Sequence, residues 1–560
     1  MLTYAILFVV LIVGGTALLS WPLGRYMKWA MDPDPSAAGS ARFTRLFQLC
    51  GGAVSRPSQD WKRYMLAMLA FNVVMFVVSY SIMALQQYLP LNPDEMKAIE
   101  GSLIFNTAAS FTSNTNLQHY SGESTMSYLS QLGALMWLQY VSAATGIAAL
   151  AALARGLAGK NLGNFYVDVQ RASFLVLLPI ALVFASLMVL GGMPITFEGA
   201  AKAITLEGAE QTIARGPVAA FLTIKQLGTN GGGFFGPNST HPFENPSFWT
   251  NGLSLISIIL IPMASVWMFG RILGRMRHAA VVFGVMLVFL LAKVTGAVYF
   301  ETAPTQAFAG LPIEQNVGNL EGKEMRFGAA SGPTWAVLTT STSNGSVGAM
   351  HDSLNPMAGL MPLIGMWLNA TFGGVGVGMI NMFLYMIVGV FIAGMMVGRT
   401  PEYLGWRVES REVKFAILAL LAHGFFILGG TALFASIPPW GAATLNNVGP
   451  HGFSEMLYEF SSASANNGSG FEGLGDNTVP WNVATGIVML LARFIPIILP
   501  LAIVGSLMAK RRSAESVGTL GVEDGTFATM LAATILIVGA LTFFPAATLG
   551  PIAEHLIFMK

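Results

Sequence analysis

Ten stretches of this sequence stay apolar for about 20 residues each, long enough to cross the hydrocarbon core of a bilayer. They lie near 2–23, 64–87, 128–154, 172–192, 250–270, 279–300, 376–398, 415–437, 481–508 and 526–547. Charged residues are only 10% of the chain, against roughly a quarter in a soluble domain, so the chain cannot coat itself for water. Helices satisfy their own backbone in lipid, and the expected fold is an all-α polytopic membrane protein with about ten transmembrane helices. A net charge of +1 gives no basic footprint for nucleic acid. The single Cys50 rules out a disulfide framework and a cysteine-based zinc site.

Lysine and arginine set the orientation. With the N-terminus outside, the inner loops hold twenty of the 29 basic residues and the outer segments seven, with Lys293 and Arg493 inside spans. That asymmetry is the positive-inside pattern. The stretch Leu2–Leu23 has no basic residue before it and is read as a retained anchor rather than a signal peptide.

Four outer segments, near 88–127, 193–249, 301–375 and 438–480, are too long for simple turns. Each carries a short apolar stretch: Ser102–Thr112, Gly216–Leu227, Ser331–Thr342 and Ser454–Ala465. Such lengths suit re-entrant or interfacial helices. Pro217 and Pro333 are expected at first helical positions, and Ser454 as a cap. A small polar run follows each stretch: Ser113-Asn114-Thr115-Asn116, Thr229-Asn230-Gly231-Gly232, Ser343-Asn344-Gly345 and Asn466-Asn467-Gly468. With Thr115 taken in the place of Gly231, Gly345 and Gly468, a fourfold repeat of span, pore loop and span results. The expected divisions are an N-terminal anchor and loop (1–61), repeats at 62–160, 161–277, 278–413 and 414–512, and an extra C-terminal span (513–560).

Non-helical backbone survives at membrane depth only inside protein or beside a wet cavity. Four such turns around one axis would aim carbonyls inward and replace the hydration shell of an alkali cation. Glycine allows the positive φ this requires, and the short helices would direct the negative ends of their dipoles at the ion. A simple glycine-rich surface turn explains one run but not four equivalent ones.

The runs Gly228–Phe235 (GTNGGGFF), His241–Pro246 (HPFENP), Met350–Ser353 (MHDS), Gly398–Gly405 (GRTPEYLG) and Gly449–Glu455 (GPHGFSE) narrow the reading. Through them the chain resembles the A subunit family of the bacterial Kdp potassium-transporting ATPase, within the superfamily of fused channel-like potassium transporters. The resemblance implies a high-selectivity potassium-binding subunit of an ATP-driven uptake pump in the bacterial inner membrane. Its partners would be a P-type ATPase B subunit, a C subunit and a small F subunit, with membrane lipids around them. Potassium would be the transported ion, with no other metal and no organic cofactor. No GxxxxGK[ST] or Asp-Lys-Thr-Gly motif occurs, so no catalytic residue is expected here. The alternative is a stand-alone Trk/Ktr/HKT-type transporter of potassium or sodium. A membrane-embedded enzyme would need convergent acid–base residues that the polar runs do not supply.

Arg493, deep in the span after the fourth run, is expected to face the pathway, because a central arginine costs about 2.5–3.5 kcal/mol on insertion scales. There it would act as a barrier to leak. Lys293 is expected to snorkel or to pair near Glu301. The glycines Gly373, Gly374, Gly376 and Gly378 mark a re-entrant turn or a hinge, and the resemblance to the superfamily implies a gate or lateral-exit role there. His241, His351 and His451 are expected to buttress the filter turns rather than bind zinc, and Lys225 to pair with an outer carboxylate.

Overall fold

Among the described residues of the computed structural model, ten helices are long and apolar enough to span a membrane: Thr3–Met31, Trp61–Ala84, Ser130–Leu157, Phe165–Leu190, Phe248–Leu273, Met276–Thr302, Val377–Met396, Ser410–Ser436, Val479–Met508 and Gly525–Ile557. The structure describes residues 2–34, 38–305, 308, 310–513 and 520–558. Each expected stretch is one of these helices. Eight of them form four units, and in each unit a short helix sits between two spans: Gly101–Thr112, Val218–Leu227, Ser331–Ser341 and Gly449–Ala465. The architecture is a fourfold pseudo-symmetric, channel-like bundle. The Thr3–Met31 and Gly525–Ile557 helices flank it.

Burial is ordered radially. The inner helices Ser130–Leu157, Phe248–Leu273 and Val377–Met396 are mostly enclosed, whereas Thr3–Met31, Trp61–Ala84, Ser410–Ser436 and Gly525–Ile557 turn most of their apolar surface outward. Lipid supplies no hydrophobic drive between helices, so small residues govern how closely they pack. Gly24 shows this: a Cβ there would lie 2.5 Å from Trp267 Cβ and 2.8 Å from Ala264 O. The flanking N-terminal helix can seat on Phe248–Leu273 only because that atom is missing.

The third unit departs from a simple span. Its second crossing is a helix Pro356–Leu368, an irregular segment, then Val377–Met396. Asn369, Phe372, Gly374 and Gly376 all have positive φ in that break. Two small antiparallel hairpins are the strands among the described residues, Ala201–Ile204 with Glu210–Ile213 and Glu402–Tyr403 with Trp406–Arg407. The second is the GRTPEYLG run, tied down by a hydrogen bond from Trp406 Nε1 to Leu157 O.

Three helix-start expectations are corrected. Pro217 is the residue before the second short helix, and Pro333 is the third residue of a helix that starts at Ser331. The fourth starts at Gly449 with Pro450 in its first turn, which leaves Ser454 inside. There its hydroxyl donates back to Pro450 O. A proline fits the first turn because the amide it lacks has no helical partner there.

Candidate functional site

All four short helices end with the same hydrogen bond, an amide reaching back five residues. The pairs are Thr115 N to Ser110 O, Asn230 N to Lys225 O, Asn344 N to Thr339 O and Asn467 N to Ser462 O. The preceding residue is left-handed each time, at Asn114, Thr229, Ser343 and Asn466, with φ between 47° and 59°. This fixes the equivalence of the four runs and corrects the alignment by one residue. Thr115 matches Asn230, Asn344 and Asn467, and Asn116 takes the place of the glycines. The glycine pattern misled because the first repeat has none there.

Three of these asparagines brace their own turn. Asn230 Oδ1 accepts from Gly232 N, Asn344 Oδ1 from Ser346 N and Asn467 Oδ1 from Ser469 N, at 3.0–3.2 Å. Their amides then donate to the neighbouring unit: Asn344 Nδ2 to Gln226 O, Asn467 Nδ2 to Thr339 O, and Asn230 Nδ2 to Asn114 Oδ1. Asn114 Nδ2 donates to Gly228 O and Thr229 O, and Asn116 Nδ2 reaches Gly345 O at 3.0 Å. Close packing completes the ring. A Cβ on Gly231 would collide with Asn344, one on Gly345 with Asn467 and one on Gly468 with Asn116. The four turns therefore meet around one axis.

The carbonyl oxygens of Thr115, Asn230, Asn344 and Asn467 accept no hydrogen bond from any described residue, yet all four residues are fully buried. Buried carbonyls are rarely orphaned, because each unmade bond costs on the order of 1–3 kcal/mol. A cation at the centre of the ring would supply what is missing. Helix C-termini behind the turns contribute about half a negative charge each before screening. Gly232 lies behind the ring, since its carbonyl accepts from Gln139 Nε2.

Above the turns lies a cavity of about 480 Å³. Asn116, Gly345 and Gly468 border it, as do Glu459, Glu472, Asp476 and His119, and among the described residues no lysine or arginine does. Acidic walls concentrate cations. Burial pushes the Glu472 carboxyl up to about 8, so it adds its charge to that wall only in alkaline solution. The sequence reading missed these residues. A glutamate within a short apolar helix, as Glu459 is, was the available signal.

The broken third-unit helix is hydrogen-bonded to the turns. Gly374 N donates to Thr342 O at 2.6 Å, Val375 N to Thr229 Oγ1 at 2.9 Å, and Ser343 Oγ to Asn369 Oδ1 at 3.0 Å. The Gly376 backbone packs on the Gly146 carbonyl without room for a Cβ. Arg493 Nη2 donates to Ser142 O at 3.1 Å, beside Gly146, and among the described residues no carboxylate pairs with it. Gly378 opens the following helix, packed on Gly373.

Lys293 neither snorkels nor pairs with Glu301. It is buried and donates to Ser341 Oγ at 2.7 Å, at the C-terminal end of the third short helix. A helix C-terminus accommodates a cation that the neighbouring protein screens from lipid. Glu301 pairs instead with Lys323 at 2.6 Å. Lys225 does pair with a carboxylate, that of Glu244 in the loop after the second turn, at 2.5 Å. The other oxygen of Glu244 accepts from Phe234 N and Phe235 N, so the HPFENP run anchors the segment leaving the second turn. Of the three histidines, His351 reaches a filter run, through Tyr458 OH to Ser469 Oγ. His241 stacks on Phe235 at 3.8 Å, and His451 lies between Asp352 and Glu554. Those two support the neighbouring loops rather than the turns.

A membrane bundle of four pore-loop units around a carbonyl-lined centre defines the channel-derived class of ion-translocating proteins. The sequence matches the family described as potassium-transporting ATPase A subunit over residues 8–556. The chain belongs to that family. It is 47% identical over 559 residues to the potassium-transporting ATPase potassium-binding subunit of Pseudomonas aeruginosa, covering 98% of both chains. The protein of the same name from Flavobacterium johnsoniae is 46% identical over 561 residues, covering 96% of this chain and 97% of its own. In fold the chain is similar to the crystal structure of the potassium transporter TrkH from Vibrio parahaemolyticus. The TM-score is 0.51 at 11% identity, over 88% of this chain and 97% of that one.

Proposed function

We propose that this chain captures potassium from the outer side of a bacterial inner membrane and passes it onward as the ion-selecting subunit of an ATP-driven uptake pump. One observation carries the reading: four symmetry-equivalent buried carbonyls, at Thr115, Asn230, Asn344 and Asn467, have no hydrogen-bond donor among the described residues. Carbonyls at the centre of a ring strip the hydration shell of an alkali cation and return equal coordination. The neighbouring Gly231, Gly345 and Gly468, with Asn116 in the first unit, set how closely the turns approach. Ser113, Asn114, Thr229, Ser343 and Asn466 hold the backbone behind them. The segment with Gly373, Gly374, Gly376 and Gly378 is the gate, and Arg493 is a fixed positive charge that opposes escape inward. Potassium is the cargo, and ATP hydrolysis resides in a P-type ATPase B subunit, joined by C and F subunits. The N-terminus faces outside.

Two measurements test this. Purification of the tagged chain in mild detergent is expected to bring down a P-type ATPase, and the isolated chain to hydrolyse no ATP. Potassium uptake by the chain alone in proteoliposomes, with no ATPase co-purifying, refutes the pump reading.

A further inference from the structure

The wall of the outer vestibule brings together three groups from distant parts of the chain. His119 Nε2 lies 3.1 Å from Glu459 Oε1 and 3.7 Å from Asp476 Oδ2, and all three ligand atoms fall within 4.8 Å of one another. We propose that His119, Glu459 and Asp476 form a binding site for a divalent cation of the zinc class, open to the vestibule.

The first argument is the hydrogen-bond chain behind the histidine. Ser102 Oγ gives its proton to the Glu100 carboxylate and must therefore accept from Asn482 Nδ2, at 3.1 Å. That orients Asn482 Oδ1 toward His119 Nδ1 at 2.7 Å. Nδ1 accordingly carries a hydrogen, and the lone pair of the neutral ring is at Nε2, aimed at a carboxylate oxygen. Two lone pairs at 3.1 Å repel, so a proton or a metal ion has to stand between them. An Nδ1–H held by an amide oxygen is also how proteins orient a metal-binding imidazole.

The second argument is spacing. Zinc bonds to nitrogen and carboxylate oxygen are about 2.0–2.2 Å, which puts neighbouring ligands of a tetrahedron roughly 3.3–3.6 Å apart. The observed 3.1 and 3.7 Å bracket that edge. The third is access. His119 and Glu459 are buried, but the Asp476 side chain is 29% exposed and all three border the cavity, which leaves a fourth position for water. The competing cluster at Asp352, His451 and Glu455 is less suitable, because both ring nitrogens of His451 already face carboxylates.

In the absence of metal the proton fills the gap. Burial opposes charge on His119, but Asp476 and Glu459 outweigh it and raise the imidazole to about 9. Zinc must displace that proton, so its binding strengthens with rising pH. A dication fixed beside the vestibule mouth would repel potassium. That consequence, unlike the site itself, rests on the potassium pathway proposed above.

The test is titration of zinc chloride into the full-length chain by calorimetry, with cobalt(II) absorption as a second readout of tetrahedral geometry. One saturable site is expected, tighter at pH 8 than at pH 6. Asp476→Asn and His119→Gln should each weaken it at least about tenfold, Asn482→Ala about 10–100-fold, and His451→Gln should leave it unchanged. Absence of saturable binding, or equal binding in Asp476→Asn and His119→Gln, overturns the assignment, as does loss in His451→Gln alone. In the assembled pump, zinc should slow potassium uptake by the unsubstituted protein and not by Asp476→Asn. Confirmed binding without inhibition overturns the inhibitory consequence and faults the pathway reading, with the metal site intact.

Discussion

Replacing Gly345 by alanine probes the ring at its most constrained point. Gly345 has φ +88°, and a Cβ there would sit 2.8 Å from the Asn467 carbonyl carbon and 3.0 Å from Asn116 Cβ. Carbon atoms in contact settle at about 3.5–4.0 Å, and the Asn467 carbonyl oxygen is overlapped more deeply still, so the third turn must retreat from the fourth by more than about 1 Å. The disfavoured backbone costs about 1–3 kcal/mol, and the overlap about 1–3 kcal/mol more. Only the strain relieved by widening the ring appears as lost affinity. If half does, about 1–3 kcal/mol is lost from potassium binding, a 5- to 150-fold rise in the half-saturating concentration. Gly449→Ala is the control. Gly449 also has positive φ, +69°, but its Cβ would meet nothing within 4 Å. That variant should lose some thermal stability and keep its affinity. The assay is potassium-stimulated ATP hydrolysis by the reconstituted pump across potassium concentrations, beside thermal unfolding of each variant. Unchanged affinity in a folded Gly345→Ala protein, or an equal shift in Gly449→Ala, refutes the steric argument.

Other outcomes follow from the same geometry. Arg493→Met keeps bulk and removes the charge, so proteoliposome flux assays should show rising passive potassium leak while hydrolysis persists; Arg493→Lys should retain most of the barrier. Lys225→Met strands the fully buried Glu244 carboxylate, and thermal or denaturant unfolding should register a loss of about 3–5 kcal/mol. His451 is partly buried, which opposes its charge, but Asp352 and Glu554 raise it to about 10. A raised histidine stabilises fully below its unfolded value of about 6.5 and loses that contribution as pH climbs through about 10. His451→Gln should therefore melt below the unsubstituted protein at pH 6, with the difference closing toward pH 10.

The ten spans were legible from the sequence alone because run length and apolarity are local properties, and a bilayer of fixed thickness reads them directly. The four short helices and the polar turns after them were legible for a similar reason: Gly, Asn, Ser and Thr at helix ends announce a break wherever they occur. Registration between repeats was not. Seeking a fourth glycine put Thr115 in the wrong place, and only the recurring five-residue hydrogen bond showed that Asn116 fills it. Lys293 exposed the same limit. Composition placed it near an outer membrane edge, but Ser341, 48 residues away, gives it a buried partner. His119 looked unremarkable until folding set it beside Glu459 and Asp476, more than 300 residues further on. A chain encodes its own turns and spans in neighbouring residues, whereas the partners that tune a carbonyl ring or a histidine come from other repeats. Only the closure of four units around one axis determines which of them meet.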